Sequence, residues 1–153
     1  MFPKAKALNN MDDLPQISVA VIGCGHWGKN LVRNFSELGA LKAVSDPDPA
    51  IQNAMRETYN IPAREIGDIF GDATIDAVVI AAPAEMHHQV ALEALEAGKH
   101  VFVEKPVTLT MEHARELCDV AERTEKTLMV GHLLQYHPAF LKLKQMVRAG
   151  ELG

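Results

Sequence analysis

The chain has 153 residues, 48% of them hydrophobic and 23% charged, with a formal net charge of −5; this is the make-up of one globular domain able to bury a substantial core. Its 15 basic residues are scattered among 20 acidic ones and form no basic face, which argues against a nucleic-acid partner. No apolar run approaches the roughly 20 residues that span a bilayer, so no membrane partner is expected.

Residues 1–15, MFPKAKALNNMDDLP, hold lysines but no continuous apolar stretch. They read as a flexible polar lead-in rather than a signal peptide, and the expected location is cytoplasmic. One domain is expected over 16–153. It opens on a strand, Ile17–Ile22, β-branched and apolar as befits a strand buried on both faces. A helix from about Trp27 to Leu38 follows, with Leu31, Val32, Phe35 and Leu38 at helical spacing and Gly39 as its stop. The strand Leu41–Ser45 runs into Asp46-Pro47-Asp48-Pro49, and a helix is predicted over Pro49–Tyr59. Ile66–Phe70 reads as one helical turn. The strong strand Asp76–Ala82 is ended by Pro83, and the helix Glu85–Ala97 is closed by Gly98. Strand His100–Val103, helix Met111–Arg123, strand Thr127–Val130 and helix Pro138–Arg148 complete the series. Strands alternating with helices imply right-handed βαβ units, hence an α/β, doubly wound parallel sheet (Rossmann fold) with helices on both faces. Nearly all of the apolar stripes are expected to be core.

The turn after the first strand is Gly23-Cys24-Gly25-His26-Trp27-Gly28. Glycines in a turn are a weak signal alone. Here a buried strand precedes them, an amphipathic helix starts within them, and an acidic residue, Asp46, stands 18 positions beyond Gly28, near the spacing of about 20 expected of a dinucleotide fingerprint. Gly23 would allow the tight turn, Gly25 the approach of backbone to a pyrophosphate, and Gly28 close packing of helix on strand. Asp46, at the end of its strand, would accept hydrogen bonds from ribose hydroxyls. With Asp48 nearby and no arginine in 46–50, a 2′-phosphate would meet like charge, so NAD is expected in preference to NADP.

A second constellation, Gly98-Lys99-His100-Val101-Phe102-Val103-Glu104-Lys105-Pro106, places Glu104 and Lys105 at the C-terminal end of a parallel strand, the edge at which such sheets bind ligands. Pro106 restrains the backbone there, and the Lys105–Pro106 peptide is a candidate for the cis form.

Taken together, VIGCGHWG, AAPAEMHHQVALEALEAGKHVFVEKP and VGHLLQYHPAF resemble the N-terminal half of the Gfo/Idh/MocA oxidoreductases, a family that includes glucose–fructose oxidoreductase and inositol dehydrogenase. The similarity runs from about Ile17 to the end of the chain. The resemblance implies an NAD-dependent dehydrogenase in which Lys105 is the catalytic residue, contacting nicotinamide and substrate hydroxyl. It places His26, Trp27, Ala82, Pro83, His87 and Glu104 with the glycines and Asp46 in the cofactor site. His132, Gln135 and Tyr136 follow the strand ending at Val130, and the resemblance favours Tyr136 as a substrate contact. It also implies a second, substrate-binding and dimer-forming domain that supplies the proton acceptor. This chain is expected to lack that domain, and alone to be inactive and a monomer or weak dimer, whereas full-length family members are usually homo-oligomers. The implied substrate is a sugar or nucleotide sugar, a UDP-sugar before a free sugar or inositol. The competing expectation is a non-catalytic dinucleotide-binding regulatory domain.

Seven histidines raise the question of a metal, but their spacing does not answer it. His87 and His88 diverge on a helix, and His132 and His137 lack matching carboxylates or thiolates; no metal is expected, and His113 is given no role. Cys24 and Cys118 are not expected to form a disulfide, and Cys24 reads as a small residue in a crowded turn.

Overall fold

The structure, a computed structural model, describes residues 16–152; the lead-in expected over 1–15 lies outside them. Five strands form one parallel sheet: β1 (Val19–Ile22), β2 (Leu41–Ser45), β3 (Ala77–Ile80), β4 (His100–Val103) and β5 (Leu128–Val130), ordered β2-β1-β3-β4-β5. The chain leaves β1 for β2 on one side and then places β3 on the other, so its direction reverses between β1 and β3. Such a switch point opens a crevice beyond the strands' C-terminal ends.

Alternation along β1 builds both faces of the sheet. Val19 and Val21 join Leu31, Val32, Val44 and Val79 in one buried cluster. Ala20 and Ile22 face the other way, into a cluster with Val78, Ile80, Val101, Val103, Leu95 and Leu117. Helices α1 (Gly28–Glu37) and α2 (Pro49–Tyr59) cover the first face. Helices α3 (Ile66–Gly71), α4 (Ala84–Glu96) and α5 (Met111–Arg123) cover the second. On α1 the buried residues are Gly28, Leu31 and Val32, and on α5 they are Leu117, Val120 and Ala121; both sets show the i, i+3, i+4 spacing of one helical face. The expected doubly wound α/β architecture is therefore observed.

Local chemistry explains the boundaries. The Asp48 side chain accepts the Ala50 N–H and Pro49 occupies the first turn of α2, while Asn60 ends it in the left-handed region at φ 52°. Thr110 caps α5 by accepting the His113 N–H at 3.2 Å. Three strands are shorter than expected, β5 only by Thr127, whose N–H goes to the His100 ring at 3.0 Å. Ile17 is exposed and the Ser18 N–H goes to the Asp76 carboxylate at 2.8 Å, so β1 begins at Val19. At the other end of the sheet, Ala81 and Ala82 abut the Gly23 turn, and β3 closes at Ile80.

Two features differ from the sequence reading in kind. A single 3-10 turn at Leu133–Tyr136 precedes the last helix, α6 (Pro138–Arg148). And α6 buries no residue: Leu141, Leu143 and Val147 are exposed. Its stripe is amphipathic but is not core among the described residues. No described helix is long and apolar enough to cross a membrane.

Candidate functional site

The first βα turn is built from chain-on-chain contacts at two glycines and from open space at a third. Gly23 sits at φ +86°, and a Cβ there would stand 2.7 Å from the Ala81 carbonyl carbon. At Gly28 a Cβ would lie 1.9 Å from the Gly23 carbonyl oxygen, whereas at Gly25 it would meet nothing within 4 Å. Gly25 thus keeps backbone accessible from outside. Immediately beyond it, α1 begins with no side-chain cap and no acidic residue in its first turn. The Lys29 and Asn30 N–H groups bond back to the Gly25 and Trp27 carbonyls, and the positive end of the dipole, with no side chain over it, favours an anion.

Asp46 closes β2 and is buried. Its Oδ2 accepts the Cys24 N–H at 2.7 Å and its Oδ1 the Asp48 N–H at 2.9 Å. The carboxylate expected to read a ribose is therefore also the clasp that joins β2 to the glycine turn, and each oxygen retains a lone pair. Cys24 is buried; burial, then the Asp46 charge, pushes its thiol up to about 12. It is a protonated packing residue.

A cavity of about 710 Å³ lies at the C-terminal edge of the sheet. Trp27, Ala82, His87, Glu104 and Lys105 all line it, so residues drawn from three separate βα turns converge there. His87 is 2% exposed, with Nδ1 2.7 Å from the Pro106 carbonyl oxygen and Nε2 2.8 Å from that of Ala82. A neutral ring donates to only one of these acceptors and an imidazolium donates to both; either way, His87 ties the start of α4 to the loop that carries Lys105. The Lys105–Pro106 bond is cis. Glu104, also buried, accepts the Trp27 indole N–H at 2.7 Å. Lys105 itself is exposed at the cavity.

Other expected site residues fall outside the lining. Pro83 stands at the N-cap of α4, where it starts the helix bearing His87. His26 is exposed on the glycine turn. Tyr136 is 68% exposed and is not a wall residue; His132, Leu133, Leu134 and Gln135 from the same segment are, together with Gly131 and Phe140. Leu133, Leu134, Gly131 and Phe140 escaped the sequence reading. The polar-apolar run GHLLQYHPAF marks the segment, but a 3-10 turn has no periodicity that says which side chains face inward. Away from the cavity, His88 and His113 stack at 3.8 Å and His88 Nε2 pairs with Glu116 at 2.7 Å. Among the described residues no group of three or more His, Cys, Asp or Glu could hold a metal ion.

Comparison with known proteins agrees with this fold. The sequence model of the oxidoreductase family with an NAD-binding Rossmann fold (GFO_IDH_MocA) matches residues 17–132. The chain is 34% identical over 142 residues to the uncharacterized oxidoreductase YrbE of Bacillus subtilis, covering 90% of this chain and 42% of that protein. It is 34% identical over 150 residues to a glycosyl hydrolase family 109 protein of Shewanella pealeana, covering 90% of this chain and 33% of that one. Among solved structures, an NAD-binding protein from Listeria innocua is similar with a TM-score of 0.82 and 32% identity, over 91% of this chain and 42% of the other. The UDP-N-acetylglucosamine 3-dehydrogenase GnnA from Acidithiobacillus ferrooxidans is similar with a TM-score of 0.80 and 29% identity, over 86% and 42%. The chain thus spans well under half the length of each of these proteins.

Proposed function

We propose, from the premise that this chain belongs to the Gfo/Idh/MocA oxidoreductase family with its NAD-binding Rossmann fold, that it forms the cofactor half of a dehydrogenase acting on a sugar or nucleotide-sugar hydroxyl. One observation carries the reading: Trp27, His87, Glu104 and Lys105 meet in a single cavity at the C-terminal edge of the sheet, beside the glycine turn.

When bound, a nicotinamide dinucleotide would supply the hydride acceptor. The chain's residues fit such a group. Backbone at Gly25 and the start of α1 would hold the pyrophosphate, since the space a Cβ would fill is open. Asp46 would receive ribose hydroxyls on its remaining lone pairs, and with Asp48 beside it would repel a 2′-phosphate; NAD is therefore proposed over NADP. The Lys105 ammonium would donate a hydrogen bond to the substrate's hydroxyl oxygen and stabilise the negative charge that grows there as its proton passes to a base, which the resemblance assigns to the family's substrate-binding domain. His87 would keep that lysine's loop in place through the Pro106 carbonyl.

The substrate class rests on relatives. One is named as a UDP-N-acetylglucosamine dehydrogenase and one as a glycosyl hydrolase, and both names imply a sugar. The proposal is tested by calorimetric titration of the chain with NADH and NADPH. Saturable binding, tighter for NADH, is expected. Binding of neither would overturn the cofactor reading, and tighter NADPH binding would overturn the role given to Asp46.

A further inference from the structure

The indole of Trp27 and the carboxylate of Glu104 meet across the sheet's switch point. Trp27 belongs to the turn after β1, Glu104 follows β4, and β3 lies between those strands. The hydrogen bond joining them, Nε1 to Oε1 at 2.7 Å, has the length of a charge-assisted bond. Trp27 is 43% exposed, so packing holds its ring only in part, whereas Glu104 is 8% exposed. A carboxylate so deeply placed needs donors. Among the described residues it receives the indole N–H and, at 3.3 Å, the N–H of Lys105, and it takes part in no ion pair.

The seat of that carboxylate is shaped by a third element. Gly131, directly after β5, packs against it: a Cβ on Gly131 would stand 2.9 Å from Glu104 Oε1 and 3.0 Å from its carboxyl carbon. A methyl group there would drive the carboxylate out of line with the indole. A strut therefore crosses the mouth of the crevice, from the glycine turn through Glu104 to the end of β5, and it ends on the backbone of Lys105.

We infer that Glu104 is a positioning residue that acts through Trp27: it fixes the indole as a wall of the cofactor cavity, and Gly131 is glycine so that the carboxylate can do so. This rests on the reading of the cavity as a dinucleotide site. It differs from a direct contact between Glu104 and the cofactor: here the carboxylate acts through the protein's own donors, the Trp27 indole on Oε1 and the Lys105 N–H on Oε2, and the double variant below separates the two roles. A carboxylate suits the task better than an amide, since an ionised acceptor makes the stronger bond to an indole N–H. The same bond gives cofactor and lysine a common mount. A shift of the Trp27 ring would be felt at Lys105 through one side chain.

The chain contains a single tryptophan, so its indole N–H gives one proton–nitrogen correlation that needs no assignment. In the unliganded chain this resonance should lie downfield of a water-exposed indole. Glu104→Leu should return it to the exposed position, Glu104→Gln should move it part of the way, and Gly131→Ala should move it in the same direction as Glu104→Leu. NADH affinity should fall about tenfold in Glu104→Leu, and by a similar factor in Trp27→Phe, which keeps an aromatic side chain, though a smaller one, and removes the donor. The double variant should be no weaker than either single one, as residues acting as one unit do not add. An indole resonance unmoved by Glu104→Leu would overturn the strut, and so would losses that multiply in the double variant, which would make Glu104 a direct cofactor ligand. Should Glu104→Leu fail to fold, the resonance shift in Glu104→Gln and the cycle of Glu104→Gln with Trp27→Phe decide the matter in the same way. Failure of the wild-type chain to bind NADH would overturn the cofactor reading alone, because the resonance is read without ligand.

Discussion

Asp46 Oδ2 accepts the backbone N–H of Cys24 at 2.7 Å, so the residue that closes β2 holds the glycine turn that follows β1. The same carboxylate takes the Asp48 N–H at 2.9 Å, and the Asp46 carbonyl takes the Gln52 side chain. Asp46→Ala should therefore do more than weaken a cofactor contact. It leaves a buried N–H without a partner, which costs about 1–3 kcal/mol, and this loss should appear in chemical denaturation of the unliganded chain. Asp46→Asn removes the charge and keeps an acceptor; it should lose less stability and bind NADPH better relative to NADH than the wild type does.

Gly25 and Gly28 separate binding from folding within one turn. Gly28→Ala places a Cβ against the Gly23 carbonyl, an overlap that should destabilise the chain by about 1–3 kcal/mol or more. Gly25→Ala meets open space and should leave the denaturation midpoint nearly unchanged, yet lower NADH affinity roughly tenfold by intruding on the anion's approach. Equal effects of the two variants on both measurements would contradict the division of labour.

The two thiols should differ in reactivity. Cys24 is buried with its thiol pushed up to about 12, while Cys118 is exposed. Since the thiolate is the nucleophile, iodoacetamide at mildly alkaline pH should label Cys118 and spare Cys24 in the native chain, and label both once it is unfolded. The linkage has a sign. The folded-state value lies above the ordinary 9.0, so the folded state holds this proton more tightly than the unfolded state. Its contribution to stability is complete below about pH 9 and is lost as the pH rises towards 12.

Lys105 should be separable from cofactor affinity. Its side chain is exposed at the cavity, and it carries no ion pair among the described residues. Lys105→Ala should leave NADH binding nearly intact. In any preparation competent for turnover it should slow hydride transfer by about a hundredfold or more, read as the rate of NADH formation. Unchanged turnover would remove the lysine from the reaction.

Much of this fold was legible because the chain carries explicit punctuation. Asp48-Pro49 starts α2 and Thr110 caps α5, and β2, α2, β4, α5 and α6 fall where composition and caps place them. The edges of β1 and β3 were not legible, since they depend on the Asp76 carboxylate and on the approach of Gly23 to Ala81, contacts between residues far apart in sequence. Periodicity also misled at α6, because an amphipathic stripe reports a face that can be covered and says nothing of what covers it. In the site, a charged pair at the end of β4 drew attention to Glu104, yet its partner Trp27 lies 77 residues away. Tyr136, favoured as a substrate contact by the family resemblance, is 68% exposed, while Gln135 and Leu134 of the same 3-10 turn line the cavity.

The central claim, that the cavity beside Lys105 and Trp27 holds the nicotinamide dinucleotide, is tested most directly by energy transfer. Trp27 is the chain's single tryptophan and lines the cavity, so bound NADH should accept its excitation. Titration with NADH should quench the tryptophan emission saturably, with matching growth of NADH emission, and Gly25→Ala should shift the midpoint to higher concentration. Quenching that rises without saturation, or saturates with no dependence on Gly25, would contradict it.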